Sequence, residues 1–124
     1  MIKLALLIPF LLLPALPPRI IEVHNSPAEK PFTLIVAEVT GYSSEEDQTD
    51  DTPHLTAAQT AVRDGVIACP RHIPFFTIVE IEGKQYSCED RMNLKYPDRW
   101  DIWFSSEVEA LEFGIKKQLI KKYD

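Results

Sequence analysis

Short alternating runs, each cut off by a turn signal, constrain this chain more than any other feature. In "FTIVEIEGKQYSCED" (76–90) Thr77, Val79 and Ile81 alternate with Ile78, Glu80 and Glu82. A period of two puts neighbouring side chains on opposite faces of a strand. Gly83 and Lys84 are expected to turn the chain, so that Tyr86, Cys88 and Asp90 share one face of the return strand of a hairpin. "FTLIVAEVTGYSS" (32–44) opens as a strand rich in β-branched residues and ends in a turn. "GVIACPRHIP" (65–74) is a short strand stopped by Pro70, followed by a turn that ends at Pro74. "WDIWF" (100–104) and "IKKQLIKKY" (115–123) read as two more strands. One segment breaks the pattern. "SSEVEALEFG" (105–114) reads as a short helix with Ser106 as its cap, Glu109 completing a capping box and Gly114 at its end. Many short strands with one small helix predict a mainly β, barrel-like domain over residues 33–124.

A chain of 124 residues holds one such domain. Part of its 45% hydrophobic content sits in the first block, "MIKLALLIPFLLLPALPPR". Lys3 gives a positive start, and residues 4–16 are nearly all apolar. That run is shorter than the about 20 residues of a membrane span. Pro9 and Pro14 interrupt it, and it lacks the polar face of a core helix. Residues 1–18 are therefore expected to be a signal peptide, or an uncleaved anchor that attaches the protein to a membrane. Residues 19–32, with Pro27 and Pro31 among polar residues, read as an extended linker. The expected location is the periplasm, the cell envelope or the extracellular space.

The net charge of −6 argues against a nucleic-acid partner, which calls for a basic face. Lys116, Lys117, Lys121 and Lys122 read as solvated strand-face residues. The acidic stretch "SEEDQTDDTPH" (44–54) lacks the spacing and central glycine of an EF-hand. Two cysteines and the scattered His24, His54 and His72 form no metal pattern, and no metal or cofactor is expected. Cys69 and Cys88 would pair as a disulfide in an oxidising compartment, or sit as two small core residues in a reducing one. Export favours the bridge.

"CEDRMNLKYPDRWDIWF" (88–104) carries the candidate chemistry. Asp90 closes one alternating run and Asp101 opens the next, so the facing ends of two strands would bring the acids together. Alternation puts Trp100, Ile102 and Phe104 on one side, with Asp101 and Trp103 on the other. An acid beside an indole in a partly dry groove has a raised pKa, and a second carboxylate raises it further. Glycosidic cleavage uses such a protonated acid, because the leaving oxygen must receive a proton. Trp103 offers a face for sugar stacking. The plainer alternative makes Asp90 and Asp101 loop-edge acids that pair with Arg91 and Arg99 or accept backbone N–H groups.

"VTGYSS", "GVIACPRHIPFFTIVEIEG", "CEDRMN", "RWDIWF" and "SEVEALEFG" follow, in order, the pattern of the bacterial three-aspartate (3D) domain. The chain resembles that family over roughly residues 37–120. The family is related to the catalytic barrel of membrane-bound lytic transglycosylase A and to stationary-phase resuscitation factors. The resemblance implies a six-stranded double-psi β-barrel with one or two short helices. It also implies an exported lytic transglycosylase that cuts the MurNAc–GlcNAc bond of peptidoglycan and leaves a 1,6-anhydro sugar. By motif, Asp101 matches the catalytic acid and Asp90 a supporting aspartate. The same blocks, with the "TAAQT" segment (56–60), nominate Tyr42, Thr56, Arg91 and Asn93 as substrate contacts beside Trp103. The partner is then the peptidoglycan glycan strand, met by a monomer.

Three departures stand out. Cys69 occupies the third aspartate's position, Gln59 and Phe76 stand where the family carries glycine, and "RMNLKYPDR" replaces a glycine-rich stretch after Asp90. A non-catalytic, expansin-like barrel that binds or loosens the wall is the rival expectation. A structural component of an envelope or phage particle is a more distant one.

Overall fold

The computed structural model describes residues 12, 14, 15, 29–45 and 54–124. The expected leader and linker, apart from isolated residues and 29–32, lie outside the described residues, as do positions 46–53 of the acidic loop. Among the described residues no helix is long and apolar enough to cross a membrane.

The protein is mainly β. Strands β1 (Phe32–Tyr42), β2 (Val66–Cys69), β3 (Ile78–Ile81), β4 (Lys84–Arg91), β5 (Trp100–Trp103) and β6 (Lys116–Tyr123) close into one barrel, and α1 (Glu107–Phe113) lies between β5 and β6 in the chain. Around the barrel the order is β1-β5-β2-β4-β3-β6. β1 runs parallel to β5 and β2 parallel to β4, while the other four pairings are antiparallel. Exchanging β1, β2 and β3 with β4, β5 and β6 leaves every pairing unchanged. This internal two-fold pattern, with its two parallel pairs, is the expected double-psi arrangement. Closure leaves no open edge among the described strands.

The inward-facing positions match the alternation in the sequence. Val39, Ile67, Cys69, Val79, Ile81, Cys88, Trp100, Ile102 and Ile120 fill the barrel, each nearly or wholly removed from water. β1 begins at Phe32, one residue inside the expected linker, and its ring meets Tyr123 edge-on. α1 packs on β1 because Gly41 has no side chain: a Cβ there would come within 2.8 Å of the Phe104 ring and 2.9 Å of the Ala110 carbonyl. Ser106 caps the helix by accepting the Glu109 N–H, and Gly114 ends it.

Two local readings shift. The hairpin turn is Glu82–Gly83, not Gly83–Lys84, and Ile81 pairs with Lys84. Both turn residues have positive φ, 50° and 78°, as a type I′ turn requires for its twist to match the strands. The second shift is larger. On β4, Tyr86, Cys88 and Asp90 do not share a face. Ile67 pairs with Cys88 but Ala68 pairs with Asp90, so Glu89 is the extra residue of a β-bulge. Cys88 faces the core, and Asp90 is turned to the outer face with Ala68.

Candidate active site

The bulge brings the acids together. Ala68 pairs with Asp90 on one side and with Asp101 on the other, and Asp101 pairs in turn with Thr40. Thr40, Asp101, Ala68 and Asp90 therefore form one row across β1, β5, β2 and β4, on the outer face of the barrel. The two-fold pattern of the fold runs through the middle of this row. With neighbouring strands about 4.8 Å apart, the Cα atoms of the two aspartates stand roughly 10 Å from each other. Between them on the sheet stands Ala68, and the Tyr42 side chain reaches from β1 to Asp90 on β4. Had β4 kept simple alternation, Asp90 would have faced the core, away from Asp101.

Asp101 is partly buried between Trp100 and Ile102, which turn inward. Thr40 Oγ1 donates to its Oδ1 at 2.9 Å. It forms no ion pair among the described residues. Burial pushes its carboxyl up to about 7, against the lowering effects of the Thr40 hydroxyl and the Arg99 charge, and Asp90 adds a further push upward. Near neutral pH this group both holds and releases a proton.

Asp90 is held by hydrogen bonds. Its Oδ2 accepts the Tyr42 hydroxyl at 2.8 Å, and its Oδ1 accepts the N–H groups of Ala57 at 3.1 Å and Arg91 at 2.9 Å. Acceptance of backbone N–H groups is the plainer role foreseen for such an acid, and Asp90 fills it while facing the same surface as Asp101. Burial, then the charge and hydrogen bond of Asp90, hold the Tyr42 hydroxyl far above the ordinary tyrosine range, so it remains a donor.

Tyr42 pairs with Trp103 two residues beyond Thr40 and Asp101. Trp103 donates its indole N–H to Ser44 Oγ at 2.9 Å, which fixes the ring on the acid-bearing face. The other expected contacts play different parts. Thr56 is buried, and its hydroxyl bonds Thr60 at 2.7 Å within the loop that delivers the Ala57 N–H to Asp90. Arg91 turns away: its guanidinium donates to the carbonyls of Pro70 and Ile73 and stacks 3.9 Å from the centre of the Phe75 ring. Asn93 is exposed and accepts the Lys95 N–H, closing its own turn. Arg99 pairs with Glu38 at 2.9 Å and not with Asp101.

Three participants escaped the sequence reading: Thr40, Ala68 and the pair Glu89–Arg63. Thr40 carries a period-two signal with Tyr42, but its link to Asp101 needs the β1–β5 pairing. Glu89 is 1% exposed, and Arg63 grips it with two hydrogen bonds of 2.9 and 2.7 Å. These bonds hold the Glu89 carboxyl below the usual carboxylate range despite its burial, with help from the Thr60 and Ser87 hydroxyls. Arg63→Ala should destabilise the domain by about 2–3 kcal/mol at pH 7, because it leaves a buried carboxylate unpaired. A lowered carboxyl stabilises the fold above its unfolded value of about 4.3 and loses that contribution as pH falls. The gap between wild type and variant in urea melts should therefore shrink toward pH 3. A gap independent of pH would remove the ion pair as its cause.

Cys69 and Cys88 form a disulfide across β2 and β4, with Cα atoms 5.8 Å apart. It lies in the core directly beneath the bulge and suits an oxidising compartment. Among the described residues no group of His, Cys, Asp and Glu could hold a metal ion.

Fold and site together define a closed six-stranded barrel with an outward acid pair, one acid near neutrality and one anchored. Comparison of the chain with protein-family models and with curated proteins finds no match.

Proposed function

We propose that the protein is an exported, 3D-type lytic transglycosylase that cleaves the MurNAc–GlcNAc bond of peptidoglycan. The observation that carries this reading is Asp101: a carboxyl near pKa 7, outside any ion pair among the described residues, on one row with an anchored second aspartate. Its proton goes to the leaving O4 as the C1–O4 bond breaks. The resulting carboxylate then takes the proton of the sugar's own 6-hydroxyl as O6 bonds to C1. Asp101 ends as it began, no water is consumed, and the product is the 1,6-anhydro sugar. Intramolecular attack supplies the entropy advantage that water lacks. Tyr42 and the Ala57 N–H hold Asp90, whose charge keeps the Asp101 proton in place.

The backbone supports the resemblance where the side chains depart from it. Gln59 and Phe76, at the two positions where the family carries glycine, have φ of 65° and 67°. Non-glycine residues rarely adopt this left-handed region. Gln59→Gly and Phe76→Gly should each stabilise the domain by about 0.5–1 kcal/mol, read as a rise in urea midpoint. Destabilisation by both would show that the present side chains hold these loops.

Incubation of the protein with purified sacculi tests the activity. Anhydro-muropeptides detected by mass spectrometry are the expected product. Binding to sacculi with no release would move the assignment to a wall-binding or wall-loosening barrel.

A further inference from the structure

A second feature lies beside the acid row. Arg99 precedes Asp101 by two residues, at the end of the loop that leads into β5. Its guanidinium pairs with Glu38, the β1 residue two before Thr40, and stacks 4.1 Å from the centre of the Tyr96 ring. These residues border a cleft of about 360 Å³ between β1 and the 95–99 loop, with Lys95 and Lys117 also on its walls.

The charge in this cleft runs against that of the chain. The whole protein carries −6, whereas the cleft gathers Lys95, Arg99 and Lys117 against Glu38 and Asp98, a balance of three cations to two acids. Glu38 is already engaged by Arg99. Lys95 and Lys117 form no ion pair among the described residues, and Arg99 Nε is buried without a hydrogen-bond partner there. Two lysines outside any ion pair among the described residues, set beside the Arg99–Glu38 pair and an aromatic ring, match an anionic group attached to a larger ligand.

We propose that the cleft between β1 and the 95–99 loop is a subsite for a carboxylate carried by the glycan strand that lies along the Asp101 row. This rests on the glycan reading of the acid row and names which glycan the site prefers: one bearing carboxylates, whether from the lactyl ether of MurNAc or from its stem peptide. A glycan without carboxylates uses Trp103 and the acid row alone. The contacts are partly exposed, so the preference falls with rising salt.

Calorimetric titration of the Asp101→Asn protein, which consumes no ligand, tests the subsite. The probes are chitohexaose, glycan strands stripped of peptides by an amidase, and glycan strands with their stem peptides. The carboxylated strands should bind about tenfold tighter than chitohexaose, as expected for charge-assisted hydrogen bonds at a partly exposed site. The peptide-free strands separate the lactyl group from the stem peptide as the source. Adding Lys95→Gln and Lys117→Gln, both away from the core, should erase the advantage and leave chitohexaose affinity unchanged. Equal affinity for charged and neutral sugars, a preference that survives both substitutions, or no binding of any probe would overturn the proposal. A persistent preference in a wild-type protein that releases nothing from sacculi would instead overturn the transglycosylase reading and leave the subsite standing.

Discussion

Asp101→Asn should lower the release of anhydro-muropeptides from sacculi by about a hundredfold or more, the usual weight of general acid–base catalysis. Asparagine keeps the size and the Thr40 contact but has no proton to deliver, so sacculus binding should persist. The pH profile gives a second reading. The first step uses the protonated form, so wild-type kcat/KM should hold below pH 7 and fall as pH rises through the value of about 7 set by burial. The stability that this carboxyl contributes should fall over the same pH range. A carboxyl whose folded pKa lies above its unfolded value of about 3.9 contributes fully below that value, and loses the contribution as pH rises through the folded value. Asn cannot ionise, so Asp101→Asn should melt at the same temperature as wild type near pH 3.5 and at a higher one at pH 8. Equal product release by variant and wild type would remove Asp101 from the chemistry. Equal melting temperatures at pH 8 would show that its carboxyl is not held near 7.

Loss of the Cys69–Cys88 disulfide should have the largest effect on stability. The bridge joins residues 19 apart in sequence. Freeing that loop in the unfolded chain should destabilise the domain by roughly 3 kcal/mol on the chain-entropy estimate. For a domain of this size the melting temperature should drop by about 12–20 °C. Both sulfurs sit in the core, so the paired Cys69→Ala, Cys88→Ala variant leaves two small apolar side chains and no buried thiol. The cysteines flank the segment that sets the bulge: Cys69 follows Ala68, and Cys88 precedes Glu89 and Asp90. Turnover at a temperature where the variant remains folded should therefore fall as well. A loss under about 0.5 kcal/mol in urea melts would show that the bridge adds nothing to the fold.

Some of this was legible because its physics is local. The helix at Glu107–Phe113 is bounded by its own cap and its own glycine, and a sequence window contains both. The hairpin of β3 and β4 is legible for the same reason, with a one-residue error in its turn, because only backbone dihedrals separate Glu82–Gly83 from Gly83–Lys84. Trp100 and Ile102 inward, with Asp101 outward, follow from a period of two in one strand. Tyr42 and Trp103 were expected at the site and stand on its face. Arg91 and Asn93 were expected there too, but Arg91 is drawn to the free carbonyls of Pro70 and Ile73 and Asn93 to its own turn. No sequence spacing encodes those competing acceptors.

By itself, then, the sequence determined the alternating strands, the capped helix, the outward side of Asp101 and two cysteines suited to a bridge. Only the tertiary structure decided where Asp90 points. A bulge belongs to a pair of strands and not to one: it exists where Glu89 and Asp90 of β4 are set against Ala68 alone of β2. That single extra residue turns Asp90 to the face of Asp101. The parallel pairing of β1 with β5, between segments some sixty residues apart, then supplies Thr40 as the partner of the acid.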